Sequence, residues 1–255
     1  MSRQPPGAPP PPPVQRIRLR YTKRGRLRFT SHRDIARVFE RALRRAEVPM
    51  AYSAGFSPHP KVSWVGAAAT GVASEAEYVE IALAEVRDVE EIRAALDASL
   101  PDGIDLVEAV EAAPGTSLAD LVQASSWRIE LRDVSPESLT KAVEAFLAAE
   151  AIEVERMTKN GRRTFDTRAP VVSMSATEGD GCAILTLVVQ HVTPAVRPDD
   201  VLSGLRSVSD LATPVPPAAT RLSQGPLTAE GGVGDPLAPE NIGATRQDAE
   251  AAGSL

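Results

Sequence analysis

Apolar residues in this chain follow two periods, and the two arrive in the same order twice. Residues 17–21 alternate Ile, Leu and Tyr with Arg, the two-residue period of a strand. Gly25 marks a turn, and residues 26–29 repeat the alternation. From 32 to 46 the period becomes helical: Ile35, Val38, Phe39, Ala42, Leu43 and Ala46 share one face, Thr30 or Ser31 caps the start, and Pro49 lies beyond the end. Residues 62–65 and 77–84 return to strand patterns, 89–100 predict a second helix stopped by Pro101, and 104–110 alternate again. The order then restarts. Residues 127–131 predict a strand, after which Ser135 caps and Pro136 opens a helix to about 149. Residues 152–157, 171–176 and 182–190 predict strands, and Arg197-Pro198-Asp199-Asp200 opens a last helix to about 205.

Each half therefore reads β-α-β-β-α, with a closing strand clear in the first half and weak in the second. The expected fold class is α+β, as tandem ferredoxin-like (βαββαβ) plates, one over residues 14–115 and one over 125–222. A single irregular α+β domain is the alternative. Residues 1–13 are Pro-rich and are expected to be disordered. PVPPAATRLSQGPL reads as a linker, and 223–255, Gly- and acid-rich without a hydrophobic period, as a disordered tail.

Charge is distributed unevenly over this frame. The chain carries 28 Lys and Arg against 34 Asp and Glu, a net charge of −6. Thirteen of those cations but only three acids (Asp34, Glu40, Glu47) fall within residues 14–65. Such polarity suits a surface for a polyanion, RNA in the first place. Strand alternation puts Arg16, Arg18 and Arg20 on one face, where guanidinium forks match phosphates, and Arg24 and Arg26 extend the row. Arg33, Arg37, Arg41 and Arg44 form a stripe on the following helix. The same strand also reads as an edge that uses charge against sheet-to-sheet pairing.

Residues 54–63, AGFSPHPKVS, predict a rigid loop, since each proline pushes the preceding Ser57 and His59 extended. In one reading the loop binds a nucleotide, with Phe56 stacking on the base, Lys61 and Ser57 against the phosphate and His59 displayed beside them; in the other Phe56 lies in the core. His32 and His59 are candidates for the acid and base of metal-independent RNA cleavage, with Tyr52 and Lys61 assisting. Asp34 and Glu40 read as ion-pair partners of neighbouring arginines, and His191 as a structural histidine. Residues 164–170, near Lys159, Arg162, Arg163 and Arg168, form a second contact stretch or a polar connection.

Walker, Rossmann, GxSxG and HExxH motifs are absent from the sequence, and Cys182 is its lone cysteine, so no cofactor, disulfide or metal is expected. Neither a signal peptide nor an apolar run of about 18–20 residues is present, which predicts a cytoplasmic protein without a membrane partner.

Several blocks carry a family resemblance in order: GRLRFTSHRD from Gly25, FERALRRA from Phe39, YSAGFSPHPKVS from Tyr52 and GVASEAEY from Gly71. They resemble the radical SAM-linked protein family, a bacterial domain of unknown function (number 2344), over residues 14 to about 210. The resemblance implies a companion to a radical SAM enzyme. The chain lacks a CxxxCxxC cluster motif, so it is similar to the stand-alone companion. Looser still is a likeness to the tandem plates of CRISPR repeat-processing endoribonucleases. Three functions follow as expectations: an RNA-binding accessory presenting tRNA or rRNA to the radical SAM partner, a metal-independent endoribonuclease, or a module that docks on that partner without RNA.

Overall fold

The computed structural model describes residues 10–158 and 161–238. The chain is a mixed α+β protein built from antiparallel strands, and it divides into two units, 1–121 with 236–255 and 122–235. Residues 1–9 and 239–255, most of the two segments expected to be disordered, lie outside the described residues, as do Lys159 and Asn160.

The first unit runs β1 (Gln15–Lys23), a 3-10 turn (Gly25–Phe29), α1 (His32–Arg45), β2 (Val62–Val65), β3 (Ala73–Leu83), α2 (Val89–Asp97), β4 (Leu106–Glu111) and the single turn α3 (Leu118–Leu121). β1 is paired on both sides, with β3 in the register Leu19↔Val79 and with β4 in the register Leu19↔Ala109; β2 pairs with β3. This overturns the edge-strand reading of the arginine row. Alternation sends Ile17, Leu19 and Tyr21 to the helical side, where they meet Val79, Ile81 and Leu83 of β3 and Ile35, Phe39 and Leu43 of α1. α1 begins where Ser31 accepts a hydrogen bond from the Asp34 N–H, 3.3 Å away. The strand expected at 26–29 is instead the 3-10 turn. The Leu27 N–H is satisfied locally by the Arg24 carbonyl, and Gly25 takes φ +54°, so the run has no ladder to join.

The second unit runs β5 (Ala124–Arg132), α4 (Pro136–Ala148), β6 (Glu153–Thr158), β7 (Gly161–Asp166), β8 (Val171–Gly179), β9 (Cys182–Gln190), α5 (Pro198–Val208) and β10 (Ala218–Gly225). Its sheet order is β10-β5-β9-β8, with β6 and β7 paired apart as a hairpin. Leu139, Val143 and Phe146 of α4 and Val201, Leu202 and Leu205 of α5 are buried. Ser135 and Pro136 open α4 as the sequence predicts, with Ser135 accepting from the Ser138 N–H at 3.1 Å.

Two sequence expectations are corrected here. The supposed linker contains β10, which pairs with β5 from Ala218↔Glu130 to Gly225↔Ala124. The supposed tail from 223 continues in place through 238, with a bridge between Leu227 and Val233 and with Leu237 buried. Among the described residues, no helix is long and apolar enough to cross a membrane.

Candidate nucleic-acid interface

The arginine row divides by role once its partners are known. Arg18 is 0% exposed; its Nε donates to Glu80 at 3.0 Å and its Nη2 to the Thr116 carbonyl at 3.0 Å and hydroxyl at 2.6 Å. The expectation that Arg18 meets a phosphate is therefore corrected: its guanidinium is an internal cation held by a β3 carboxylate. Arg16 donates to the same Glu80 at 3.1 Å, but its side chain remains 57% exposed. Arg20 pairs with Glu108 of β4 at 2.9 Å. Arg24 takes Glu75 and, at 3.1 Å, Asp105; hydrogen bonding to Glu75 raises its pKa further above the ordinary arginine value. Lys23 is buried and donates to the Ala69 carbonyl at 3.1 Å. Much of the +10 excess over residues 14–65 is thus matched by acids at 75–108, which lie outside that segment but cross it in the sheet.

Other cations remain open. Arg26, Arg33 and Arg41 are exposed, and their guanidinium groups make no hydrogen bond or ion pair among the described residues. Arg37 meets Asp34 at 3.3 Å and Arg44 meets Glu40 at 3.9 Å. These are exposed pairs one helical turn apart and screened by solvent, so a polyanion can displace them at small cost. Asp34 is held below the usual carboxylate range, first by the Ser31 hydroxyl and then by the nearby Arg37 and Arg33 charges.

The loop after α1 is a pinned hairpin. The Ser53 N–H donates to the His59 carbonyl at 2.9 Å, the His59 N–H donates to Ser53 Oγ at 3.2 Å, and the Lys61 N–H donates to the Ala51 carbonyl at 2.8 Å. The Ser53 hydroxyl also meets His59 Nδ1 at 3.0 Å, orienting the imidazole. Gly55 supports the tip with φ +139°, a conformation side-chain-bearing residues rarely adopt. Phe56 stands at that tip 65% exposed, which removes the core reading of this ring, and Ser57 is exposed beside it. His32, exposed at the first position of α1, packs edge-on against Trp64 with ring centroids 5.2 Å apart.

The base of this hairpin walls two cavities. One, of about 270 Å³, is lined by Arg16, His59, Lys61, Ser63 and Glu80. The other, of about 200 Å³, is lined by Phe39, Glu40, Leu43 and Trp64, and both share His59, Pro60 and Val62. The sequence points to Arg16, His59 and Lys61 but misses Ser63, Trp64, Glu40 and Glu80 as site residues. Alternation in 62–65 carries the signal, since it puts Lys61 and Ser63 on one sheet face and Val62 and Trp64 on the other.

In the second unit, Gly161–Asp166 forms β7, with Arg162 paired to Glu155 at 2.9 Å. Arg168 donates to the Val171 carbonyl at 3.1 Å and the Leu147 carbonyl at 3.4 Å, so the stretch at 164–170 is bonded into its own fold. Among the described residues, no cluster of three or more His, Cys, Asp or Glu could hold a metal ion.

Residues 16–198 match the family described as "Uncharacterized protein conserved in bacteria (DUF2344)". The chain belongs to that family. No curated protein matches it. Among solved structures it is similar to the encapsulated DyP-type peroxidase from Mycobacterium smegmatis, at 11% identity over 86% of this chain and 94% of that one. The TM-score of 0.19 is too low for the likeness to carry any argument about fold or chemistry.

Proposed function

We propose that this member of the DUF2344 family is a cytoplasmic RNA-binding accessory acting with a radical SAM enzyme in tRNA or rRNA modification or processing. One observation carries the RNA reading: Phe56 is held out on a pinned hairpin, and that hairpin's base shares a cavity wall with α1, whose stripe holds Arg33 and Arg41, exposed and without an ion pair among the described residues. An exposed ring offers every base a stacking face, and cations beside it supply the sequence-independent phosphate term. The radical SAM partner follows from the family resemblance and is part of the same proposal. So is the architecture of two ferredoxin-like plates, supported by the βαββαβ order of the first unit and by the sheet orders β4-β1-β3-β2 and β10-β5-β9-β8.

Fluorescence anisotropy with labelled tRNA across a salt series tests RNA binding. With Arg26, Arg33, Arg41 and Lys61 each neutralising one phosphate, log K falls against log salt with a slope of about −3 to −4. Phe56→Ala weakens binding by about 1–3 kcal/mol without moving the thermal midpoint. Binding that is absent at low salt, or flat with salt, overturns the reading. Co-purification with the radical SAM protein that survives nuclease instead favours direct docking between the proteins.

A second reading, a metal-independent endoribonuclease, draws on the exposure of His32 and His59 and their common neighbour Trp64. It requires discrete cleavage of RNA in EDTA that a His59→Ala variant loses.

A further inference from the structure

We propose that the two cavities at the base of the Ser53–His59 hairpin together hold one guanine nucleotide, with the phosphate among Arg16, Lys61 and Ser63 and the base among Phe39, Leu43, Trp64 and Glu40. The proposal rests on the RNA reading above and names what is taken from the RNA: a single unstacked nucleotide.

The charge of the first cavity favours a phosphate. Lys61 contributes an ammonium that makes no hydrogen bond or ion pair among the described residues. Arg16 gives Glu80 only its Nη1, leaving the other donors of its fork for a ligand. Among the described residues the one acid of this cavity, Glu80, is shared between Arg16 and the buried Arg18 and has a side chain only 10% exposed, so its charge is directed inward. Ser63 adds a hydroxyl from the exposed face of β2, and His59 an imidazole oriented by Ser53. Two cations, a hydroxyl and an imidazole match the acceptor oxygens of a phosphate monoester.

The second cavity has the opposite character. Phe39, Leu43 and Trp64 give it apolar and aromatic walls, and among the described residues Glu40 is its one carboxylate. The Glu40 side chain is 47% exposed and touches Arg44 only at 3.9 Å, so its carboxylate can accept further hydrogen bonds. A carboxylate accepts and cannot donate. It selects the base edge with the most adjacent donors, and guanine presents a ring N–H beside an amino group. Adenine offers an amino group beside a ring acceptor, which Glu40 would repel.

Size argues for joint occupancy. At about 270 and 200 Å³, each cavity falls short of the roughly 300 Å³ at which ligand pockets usually begin. A ligand held firmly must use both. They share the wall of His59, Pro60 and Val62, and β2 pairs with β3 on one side while its other edge carries no strand among the described residues. That edge is the path by which a nucleotide reaches from one cavity to the other.

Calorimetric titration of the full chain with GMP, AMP, guanosine and inorganic phosphate tests the site. GMP is expected to bind at least about tenfold more tightly than guanosine, phosphate or AMP, one decade being about 1.4 kcal/mol. Lys61→Met should lower GMP affinity about tenfold and leave guanosine unchanged, while Glu40→Gln should abolish the preference for GMP over AMP. Both side chains are at least partly open to solvent, so unchanged thermal midpoints show that the variants fold. Equal binding of GMP and phosphate, equal binding of GMP and AMP, or indifference to Lys61→Met overturns the proposal. Salt-dependent tRNA binding measured on the same samples separates the two ideas. If tRNA binds and GMP does not, the nucleotide site falls alone; if neither binds, the RNA reading falls with it.

Discussion

At the residue scale, the most consequential side chain is Glu80. It accepts from Arg16 and from Arg18, and Arg18 is shut away from water entirely. An arginine cannot escape burial by losing its proton, so its carboxylate partner is obligatory. Glu80→Gln removes the countercharge of the buried Arg18, leaving it only the neutral acceptors of the amide and Thr116, and is expected to cost about 3 kcal/mol, read as a lowered urea midpoint. Glu40→Gln on exposed α1 should stay within about 0.5 kcal/mol of the parent. The two acids thus differ in stability cost although each sits beside arginines in sequence or in space.

His191 gives a pH dependence of definite sign. Its Nδ1–H donates to the Val122 carbonyl at 2.9 Å, which leaves Nε2 to accept from the Ser125 hydroxyl at 2.7 Å. Burial lowers its pKa below 6.5, and the Arg221 charge lowers it further, outweighing the support of the Val122 carbonyl. The unfolded chain therefore takes up this proton first as pH falls. The stabilising contribution of neutral His191 is complete above the unfolded value and is lost as pH drops below it. Urea midpoints are expected to fall between pH 7.5 and pH 5.5, and the fall should be shallower in His191→Gln; a fall equally steep in the variant refutes the assignment. His191 is thus bonded within its own unit, as the structural reading of the sequence expects.

At the scale of elements, legibility followed how local the cause was. α1 announces itself through a cap, a period and a stop within about 20 residues of sequence, and α4 through the Ser135 cap and Pro136 at its start. β10 does not. Its residues, AATRLSQG, look like a linker, and only the ladder offered by β5 makes them a strand. The residues 26–29 fail in the opposite direction, alternating like a strand while the backbone closes a 3-10 turn. α5 shows what tertiary packing adds to an element the sequence already predicts. A Cβ on Gly204 would lie 2.7 Å from Thr167 Oγ1 and 2.9 Å from Phe146 Cε2. Gly204→Ala gains about 1 kcal/mol of helix propensity but pays the overpacking of a filled core, about 1–3 kcal/mol. The expected outcome is a lower thermal midpoint; a higher one would mean that α5 can shift away from Phe146.

At the scale of the whole molecule, the governing quantity is where charge is left over. The chain is acidic overall, at −6, so any attraction to a polyanion must come from a local surface and act at short range. Arg18 and Arg20 of β1 contribute little to that surface, because Glu80 and Glu108 meet them, and Arg16 contributes only the donors that Glu80 leaves. The stripe on α1 contributes more. Replacing Arg33 and Arg41 together by Gln should reduce the magnitude of the salt slope for tRNA by about 1.5–2 and leave stability unchanged. An unaltered slope would move the interface away from α1.

The sequence alone determined the elements whose signals are local: the order of helices and most strands, the caps at Ser31 and Ser135, and the stiffness of the FSPHPK loop. It also marked residues 14–65 as the charged region. Only the tertiary structure decided which of those charges face outward. Strand pairing brings Glu75, Glu80, Asp105 and Glu108 across from arginines 50 to 90 positions away, turning Arg18 into a buried ion pair and leaving Arg26, Arg33, Arg41 and Lys61 open. Alternation fixes the face on which a side chain lies, but the charge opposite it depends on sheet register, which no local pattern specifies.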